Sequence, residues 1–444
     1  MVATSPAALN DPTTNEPPVQ RKAWVVLGML FLLMVINWAD KAILGLTAAQ
    51  IIPEFGLTTS QFGFLGSAFY FLYGITCLAI GWIMTKVSGR AILIVLAILW
   101  SVTQLPVLLV ASFGSLLFSR IGLGAAEGPF NPVANNVAYS WFPNEKRGLP
   151  QGILSAGASV AKIAVAPLLT LIIVAYGWRW GFITLIAIGV VWTIAWLFVG
   201  QEGPHATMTS AAAVPEEQVT GTTAEEVERD VPLRKVLFCR TNVATVIAMF
   251  PHGALLAIVL TFLPTYFISA FGMSETAAGS LLGLPSISSL IVLVGAGWLS
   301  DRLLRKGKPS RVARVYVGAA SLVIGGIILA CLPLATSPTA AIVTLVLGYG
   351  IATAIYPIGP PLIAEVSPRK HRAKTQAILY AFIACAGIIG PWLTGIIAET
   401  GATPAEGFGR AFQVFGIAVI VAGVVFALLA NPARDREKLG TEAT

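Results

Sequence analysis

Five ionisable side chains lie inside long apolar stretches of the sequence. Asp40 and Lys41 are adjacent in the segment NWADKAIL. Arg120 and Glu127 are seven residues apart in another stretch, and Lys162 lies in the next one. A charged group at the centre of a membrane helix costs about 2.5–3.5 kcal/mol on insertion scales, so such charges are strongly disfavoured when unpaired. If these stretches cross a membrane, their charges need partners or a function.

The types and spacing of these residues favour an anion site that is coupled to protons. Three cations and two anions leave one positive charge when all are ionised, and two when one carboxylate is protonated. Arg120 and Glu127 share a helix face with ~10 Å of rise between them, whereas the adjacent Asp40 and Lys41 diverge by ~100°. A positive pocket of low dielectric attracts an anion, and a carboxylate that accepts a proton supplies coupling to a pH gradient. We hypothesise that binding of an organic anion and protonation of Asp40 or Glu127 favour each other.

Alternatives remain for these charged groups. All five could form a purely architectural salt-bridge network, although buried ion pairs are weak stabilisers. Lys162 could contact substrate or hold Glu127 ionised, or it could extend its ammonium group to the membrane surface.

The elements that must position these residues are membrane helices. The chain has 444 residues, 56% of them hydrophobic and 11% charged, against about 25% charged in a soluble domain. Barrel strands would alternate in polarity over ~10 residues, and these apolar runs are much longer. We therefore predict an all-α integral membrane protein. The twelve predicted spans are 23–50, 60–85, 90–111, 115–141, 149–175, 181–200, 241–270, 276–300, 312–333, 339–363, 374–398 and 410–430.

The basic residues predict the orientation in the membrane. With both termini cytoplasmic, 23 of the 28 Lys and Arg residues fall on the cytoplasmic side, and Arg179 and Arg410 on the other. This asymmetry follows the positive-inside rule. It also accounts for the net charge of +7 through contact with anionic lipid, so we expect the bilayer and no nucleic acid as a partner.

The two halves of the chain resemble each other. GWIMTKVSGR at 81–90 matches GWLSDRLLRK at 297–306, and PNEKRGLPQGILSA at 143–156 matches PRKHRAKTQAILYA at 368–381. These echoes predict a duplicated six-helix unit, with substrate held between the repeats near the middle of the bilayer. The predicted organisation is a disordered cytoplasmic tail at 1–22, a six-helix bundle at 23–200, a cytoplasmic loop at 201–240, a second bundle at 241–430 and a cytoplasmic tail at 431–444.

These stretches resemble the major facilitator superfamily and, within it, the anion:cation symporter family of organic-acid transporters. The resembling segments are NWADKAIL, SRIGLGAAEGPFNPVANN (119–136), SWFPNEKRGLPQGI (140–153) and GIIGPWLTG (387–395). The resemblance implies gating loops between the helices, and Thr85 departs from it because the family pattern has Asp there. The implied gating residues are Gly81, Lys86, Arg90, Gly297, Asp301, Arg302, Arg147 and Arg372.

The resemblance also implies roles for the charged residues. Asp40 and Glu127 would carry protons, while Lys41 would bind the substrate carboxylate and Arg120 would partner Asp40. Lys41 is a variation, since relatives commonly have Arg there, and Lys binds a carboxylate as a point charge. Three further residues complete the expected substrate site: Trp38 and Tyr73 as aromatic contacts, and Asn131, four residues after Glu127.

The substrate is expected to be a small organic carboxylate that is imported with protons. The segment from Ala377 to Thr394 has no Asn or Gln, which favours an aromatic or weakly hydroxylated acid, because each unmet buried hydroxyl costs about 1–3 kcal/mol. His252 could face the cavity or pack between helices. A sugar-acid symporter is the first alternative, and a drug or metabolite efflux antiporter the second.

Other classes of protein fit the sequence less well. A membrane sensor would need a signalling domain or long loop, and the longest candidate is 201–240. Nothing resembles a nucleophile–base pair, a metal-ligand spacing or a phosphate-binding loop, so we expect neither an enzyme nor a cofactor or metal, with the proton gradient as the energy source. We expect a functional monomer, and resemblance to bacterial members implies the cell inner membrane.

Overall fold

The computed structural model describes residues 21–143, 146–206 and 231–440, which are folded almost entirely as helices. The tails predicted at 1–22 and 431–444 and the loop predicted at 201–240 each lie partly outside these residues. Within the described part, eleven helices are long and apolar enough to cross a membrane. They are Arg21–Leu46, Thr59–Ile83, Gly89–Leu109, Gly148–Tyr176, Trp178–Val199, Arg240–Phe271, Glu275–Arg305, Arg311–Leu334, Pro338–Val366, Lys374–Glu399 and Pro404–Leu429.

The fourth predicted span is a pair of shorter helices. Phe113–Glu127 and Phe130–Tyr139 follow one another with only Gly128 and Pro129 between them. The pair is less apolar than the other spans because it carries Arg120, Glu127 and several asparagines. With this pair, the helices follow the predicted order of twelve spans.

Each span is built from one or more helical segments. In the first half, described at 21–206, the α-helices are α1 (Arg21–Leu46), α2 (Ala48–Glu54), α3 (Thr59–Ala68), α4 (Tyr70–Ile83), α5 (Gly89–Leu109), α6 (Phe113–Glu127), α7 (Phe130–Tyr139), α8 (Gly148–Val160), α9 (Ala166–Tyr176) and α10 (Trp178–Val199). In the second half, described at 231–440, they are α11 (Leu233–Leu237), α12 (Arg240–Phe271), α13 (Glu275–Ser280), α14 (Leu284–Arg305), α15 (Val317–Ala330), α16 (Pro338–Ala352), α17 (Ile355–Val366), α18 (Arg372–Ala384), α19 (Ala386–Glu399), α20 (Pro404–Leu429) and α21 (Pro432–Leu439). The 3₁₀ segments are Leu281–Gly283, Leu332–Leu334 and Arg369–His371, and the π-helical segments are Ala161–Val165 and Arg311–Tyr316.

Hydroxyl side chains start many of these helices. The Thr58 hydroxyl accepts from the backbone N–H of Gln61, whose side chain accepts from the Thr58 N–H in return. Ser112 and Ser115 form the same reciprocal arrangement before α6. Such caps satisfy the free N–H groups of a first turn and contribute about 1 kcal/mol each. They mark where the chain turns back into the bundle.

Several spans are interrupted near the middle of the molecule. The π-helical turn Ala161–Val165 lies between α8 and α9 and contains Lys162. The break between α3 and α4 falls at Phe69, and the break between α18 and α19 falls at Cys385. Interruptions of this kind re-aim side chains and often occur at functional sites. Two of these three interruptions lie at the charged residues, since Phe69 contacts Lys41 and Arg120 and the π-helical turn contains Lys162.

The two halves approach closely at the end of the bundle away from most of the basic loops. A Cβ atom on Gly45 would lie 2.1 Å from the carbonyl oxygen of Leu260, and one on Gly63 would lie 2.3 Å from that of Pro391. Glycine at these positions lets the helix backbones of the two halves touch. We call this end of the molecule the closed end.

Hydrogen bonds also join the halves at the closed end. The Ser60 N–H donates to Glu399 Oε1 at 2.7 Å, and Gln50 Nε2 donates to Glu275 Oε2 at 3.0 Å. Together with the glycine contacts, these bonds hold the halves against each other on one side of the charged residues.

Candidate functional site

The centre of the first half holds a buried ion pair. Lys41 Nζ lies 3.0 Å from Glu127 Oε2, and the two side chains are only 8% and 0% exposed. Lys41 also donates to Asn37 Oδ1, one helical turn earlier on α1, at 2.5 Å. The family resemblance implies that Lys41 binds the substrate carboxylate. In this conformation the ammonium group of Lys41 is neutralised by Glu127.

Asp40 and Arg120 lie beside this pair, but the contact between them differs from the expected one. Gln104 Nε2 donates to Asp40 Oδ1 at 3.1 Å, whereas Arg120 Nη1 donates to the backbone carbonyl of Asp40 at 3.4 Å. Arg120 therefore partners Asp40 at its main chain, and an uncharged amide contacts the carboxylate. Sequence reasoning missed Gln104, although an amide inside the apolar run of α5 is a signal for such a contact.

Aromatic rings surround the Lys41 ammonium group. Lys41 Nζ lies 5.0 Å from the centre of the Trp38 ring, 5.5 Å from that of Tyr73 and 5.8 Å from that of Phe69. Such cation–π contacts stabilise a desolvated cation by about 1–2 kcal/mol. Trp38 and Tyr73, both expected from the sequence, are thus brought together with Lys41.

Lys162 shares the indole of Trp38 with Lys41. Its Nζ lies 4.9 Å from the centre of the Trp38 ring. Within the described part of the chain, no carboxylate forms an ion pair with Lys162. The site therefore contains one cation that Glu127 neutralises and a second that has no anionic partner.

Asn131 completes the predicted set. Its side chain lies against the Tyr73 hydroxyl, one turn beyond Glu127. The structure therefore gathers all eight residues predicted for the proton and substrate site: Trp38, Asp40, Lys41, Tyr73, Arg120, Glu127, Asn131 and Lys162. Their individual roles stay predictions.

The predicted gating residues lie at the other end of the bundle from the closed end. Arg90 donates to the carbonyl of Leu197 at 2.7 Å, and Arg147 donates to the carbonyl of Phe142 at 3.1 Å. Lys86 and Arg302 lie over the rings of Trp82 and Trp298, at 4.0 and 5.0 Å.

Other gating candidates are open to the surroundings. Asp301 is exposed and forms no hydrogen bond or ion pair within the described residues. Arg372 and Gly81 are also exposed, and Gly297 is partly buried. The gating role of these residues stays a prediction.

The second half contains an uncharged polar cluster of which the sequence analysis named only His252. His252, 1% exposed, lies 3.0 Å through its Nε2 from Thr353 Oγ1, which is 3.1 Å from Ser289 Oγ. The rings of Tyr349 and Tyr356 pack on the imidazole, with centroids at 4.8 and 5.2 Å. The sequence analysis looked for polar groups in the segment from Ala377 to Thr394, whereas those of this cluster lie on α12, α14, α16, α17 and the α16–α17 junction. We call these five residues the histidine cluster.

Tyr70 connects the two polar regions. Its ring contacts those of Phe69 and Tyr73, with centroids at 5.0 and 6.1 Å. Its hydroxyl is within electrostatic range of the phenols of Tyr349 and Tyr356. Tyr70 thus lies between the Lys41 region and the histidine cluster.

The comparisons with known proteins identify the family. A profile of the Major Facilitator Superfamily matches residues 30–356 and 310–444, so the chain belongs to that superfamily, and the resemblance drawn from the sequence is confirmed. The chain is accordingly an integral membrane transporter and not an enzyme.

Several curated relatives match over nearly their full length. A hexuronate transporter of Bacillus subtilis is 27% identical over 420 residues, covering 94% of this chain and 97% of that protein. A D-galactonate transporter of Escherichia coli is 26% identical, covering 94% and 98%. A probable sulfoacetate transporter of Cupriavidus necator is 27% identical, covering 92% and 94%.

Solved structures share the fold. A bacterial homologue of the human lysosomal transporter Spinster, in an inward-facing and unoccupied conformation, aligns with a TM-score of 0.73 at 19% identity, covering 95% of this chain and 99% of that one. A D-xylose–proton symporter aligns with a TM-score of 0.71 at 16% identity, covering 93% and 98%. At these identities the likeness shows the fold alone.

Proposed function

We propose that the chain imports a sugar acid together with protons across the cell inner membrane, as a monomer with both termini cytoplasmic. The observation that carries this proposal is the buried Lys41–Glu127 pair beside Lys162, which forms no ion pair within the described residues. It supplies an anion site whose occupancy is linked to the charge of a carboxylate.

The ion pair suggests how protons and substrate are coupled. A substrate carboxylate that binds Lys41 competes with Glu127 for the same ammonium group. Displaced Glu127 would be a buried carboxylate without its cation, and a buried uncompensated charge is strongly unfavourable. Taking up a proton removes that charge, so substrate binding and protonation of Glu127 favour each other.

Asp40 is the second candidate proton carrier. Its carboxylate contacts the amide of Gln104 and is 1% exposed, while the guanidinium of Arg120 is held at the neighbouring main-chain carbonyl. A proton on Asp40 would therefore change the field at Arg120 and Glu127 without breaking a direct ion pair.

Lys41 and Lys162 are the two cations that we propose for binding the substrate carboxylate. The ammonium groups of Lys41 and Lys162 both lie about 5 Å from the centre of the Trp38 ring, so one indole contacts two cations. Ammonium groups bind carboxylates as point charges, so this end of the site selects for negative charge more than for a fixed carboxylate orientation.

Two observations favour a sugar acid over the aromatic acid expected from the sequence. Relatives that match nearly the whole chain are named for hexuronate, D-galactonate and, in another Bacillus subtilis protein, galactarate and D-glucarate. The histidine cluster also supplies buried polar groups in the second half, outside the segment from Ala377 to Thr394 on which the expectation of an aromatic acid rested.

Reconstitution in liposomes that contain a pH-sensitive dye tests this function. D-galactonate, galactarate, D-glucuronate, sulfoacetate and benzoate would each be added outside without an imposed ion gradient. We expect internal acidification with sugar acids, loss of acidification in Glu127→Gln, and retained substrate exchange in that variant. Glu54→Gln is the matched control, since Glu54 lies at the closed end in contact with Arg179 and is partly exposed.

Two results would contradict the proposal. Internal acidification with benzoate and with none of the sugar acids would favour the aromatic substrate expected from the sequence. Substrate exchange without acidification for any acid, with Glu127→Gln behaving like the unaltered protein, would remove proton coupling.

A further inference from the structure

We infer that the histidine cluster is a specificity subsite that accepts a hydrogen bond from a substrate hydroxyl through Nδ1 of His252. This inference rests on the proposed function and names the group that reads the uncharged end of the substrate. The supporting observation is that Nδ1 is buried and has no hydrogen-bond partner within the described residues.

The contacts of the imidazole determine which nitrogen carries the proton. His252 Nε2 lies 3.4 Å from the backbone carbonyl of Tyr349, which can only accept a hydrogen bond. Nε2 also lies 3.0 Å from Thr353 Oγ1, whose own proton is donated to the same carbonyl at 2.9 Å. Both neighbours therefore require a donor at Nε2.

Ser289 does not change this assignment. Its hydroxyl donates to the carbonyl of Pro285 at 2.6 Å, so its proton is also used. Thr353 Oγ1 is left as an acceptor, and Nε2–H is the donor available to it. The contacts of Nε2 with the Thr353 hydroxyl and the Tyr349 carbonyl thus fix one tautomer of the ring.

The free nitrogen is consequently an acceptor. No carboxylate contacts the imidazole within the described residues, and a second proton would leave a buried charge without compensation. In the neutral ring, Nδ1 presents a lone pair that can accept from an O–H but cannot bind a carboxylate. The cluster therefore discriminates in favour of a hydroxyl and complements the lysines that attract the carboxylate.

The surroundings of His252 connect this acceptor to the charged end of the site. Tyr356, whose ring packs edge-on against the imidazole, is only partly buried, unlike His252 itself. A substrate that contacts both the Lys41 region and the histidine cluster would extend past Tyr70, whose ring contacts Phe69 and Tyr73.

The test is a cycle of protein variants and deoxy substrates. Binding of D-galactonate, galactarate and their monodeoxy analogues would be measured by calorimetry on purified full-length protein, with His252→Phe and His252→Gln as variants. Phe keeps the ring shape, and Gln keeps an N–H donor near the position of Nε2, so the second variant preserves the contact to Thr353. We expect removal of one particular hydroxyl to weaken binding to the unaltered protein about tenfold, and to have no effect in either variant.

The outcomes separate this inference from the proposed function. If the unaltered protein neither binds nor transports any sugar acid, both are wrong. If it does transport them, and the variants lose affinity equally for every analogue or for none, the function stands and the hydroxyl contact of His252 is wrong.

Discussion

The two polar regions of this transporter differ in charge and in what they can recognise. The region around Lys41 contains three cations and two carboxylates, packed with the aromatic rings of Trp38, Phe69 and Tyr73. The histidine cluster has a similar degree of burial but no charged partner within the described residues. The groups that we propose for binding the anion and the proton therefore lie in one half, while neutral hydrogen-bonding groups of defined direction lie in the other.

This difference separates two physical tasks. Charge–charge attraction is strong and weakly directional, so it suits capture of a carboxylate and coupling to protons. A neutral acceptor in a buried site is weaker but rejects a partner that lacks a donor, because the acceptor is then left unsatisfied. The following substitutions test whether the two regions behave in these distinct ways.

The largest effect is expected from breaking the Lys41–Glu127 pair. Lys41→Gln removes the cation and leaves Glu127 buried without a partner, which costs about 3–5 kcal/mol of stability. The double variant with Glu127→Gln removes both charges and should recover most of the lost thermal stability in detergent. Neither variant should take up substrate with protons in the liposome assay.

The double variant is also the control for misfolding in this experiment. Equal melting temperatures for the single and double variants would show that the pair does not govern the stability of this region. Proton-driven uptake by Lys41→Gln would show that the substrate carboxylate binds elsewhere.

An intermediate effect is expected at Lys162. Because Lys162 has no ion-pair partner within the described residues, Lys162→Gln removes a partly buried charge and leaves no carboxylate without a cation. We expect substrate affinity to fall about tenfold, corresponding to roughly 1.4 kcal/mol, with unchanged or higher thermal stability. Calorimetry and melting curves on the same sample measure both, and a fall in stability like that of Lys41→Gln would contradict the assignment.

The sequence predicted the charged region better than the neutral one. Charges are rare in apolar runs and costly when unpaired, which is why five residues stand out in the sequence: Asp40, Lys41, Arg120, Glu127 and Lys162. Their pairing was less accessible, since helical spacing defines a shared face but not which carboxylate meets which cation across helices. The actual contacts, Lys41 with Glu127 and Arg120 with the Asp40 main chain, depend on how α1 packs against α6.

The histidine cluster could not be read from sequence for a related reason. Thr, Ser and Tyr are ordinary residues of membrane helices, and each finds local hydrogen bonds within its own helix. Only the tertiary arrangement brings Ser289, Thr353 and His252 together from three spans. The helices themselves were predictable, because apolar runs of about 20 residues admit no other spanning structure.

The smallest effect is expected at an ion pair in water, which provides the contrast to the buried one. Glu54 at the closed end accepts from Arg179 and from Trp178 Nε1, and both side chains of the ion pair are more than a third exposed. The hydrogen bond from Arg179, followed by that from Trp178, lowers the pKa of Glu54 below its usual 4.5 against a small opposing effect of burial. Since the folded-state pKa is depressed, this stabilisation is present above the unfolded value and is lost as the pH falls through the folded one.

Glu54→Gln should therefore cost less than about 1 kcal/mol near pH 7, a difference that salt reduces and that disappears in acid below pH 4.5. Melting curves of the two proteins between pH 7 and acid measure this, and a loss as large as that of Lys41→Gln would mean that exposure does not separate the two ion pairs.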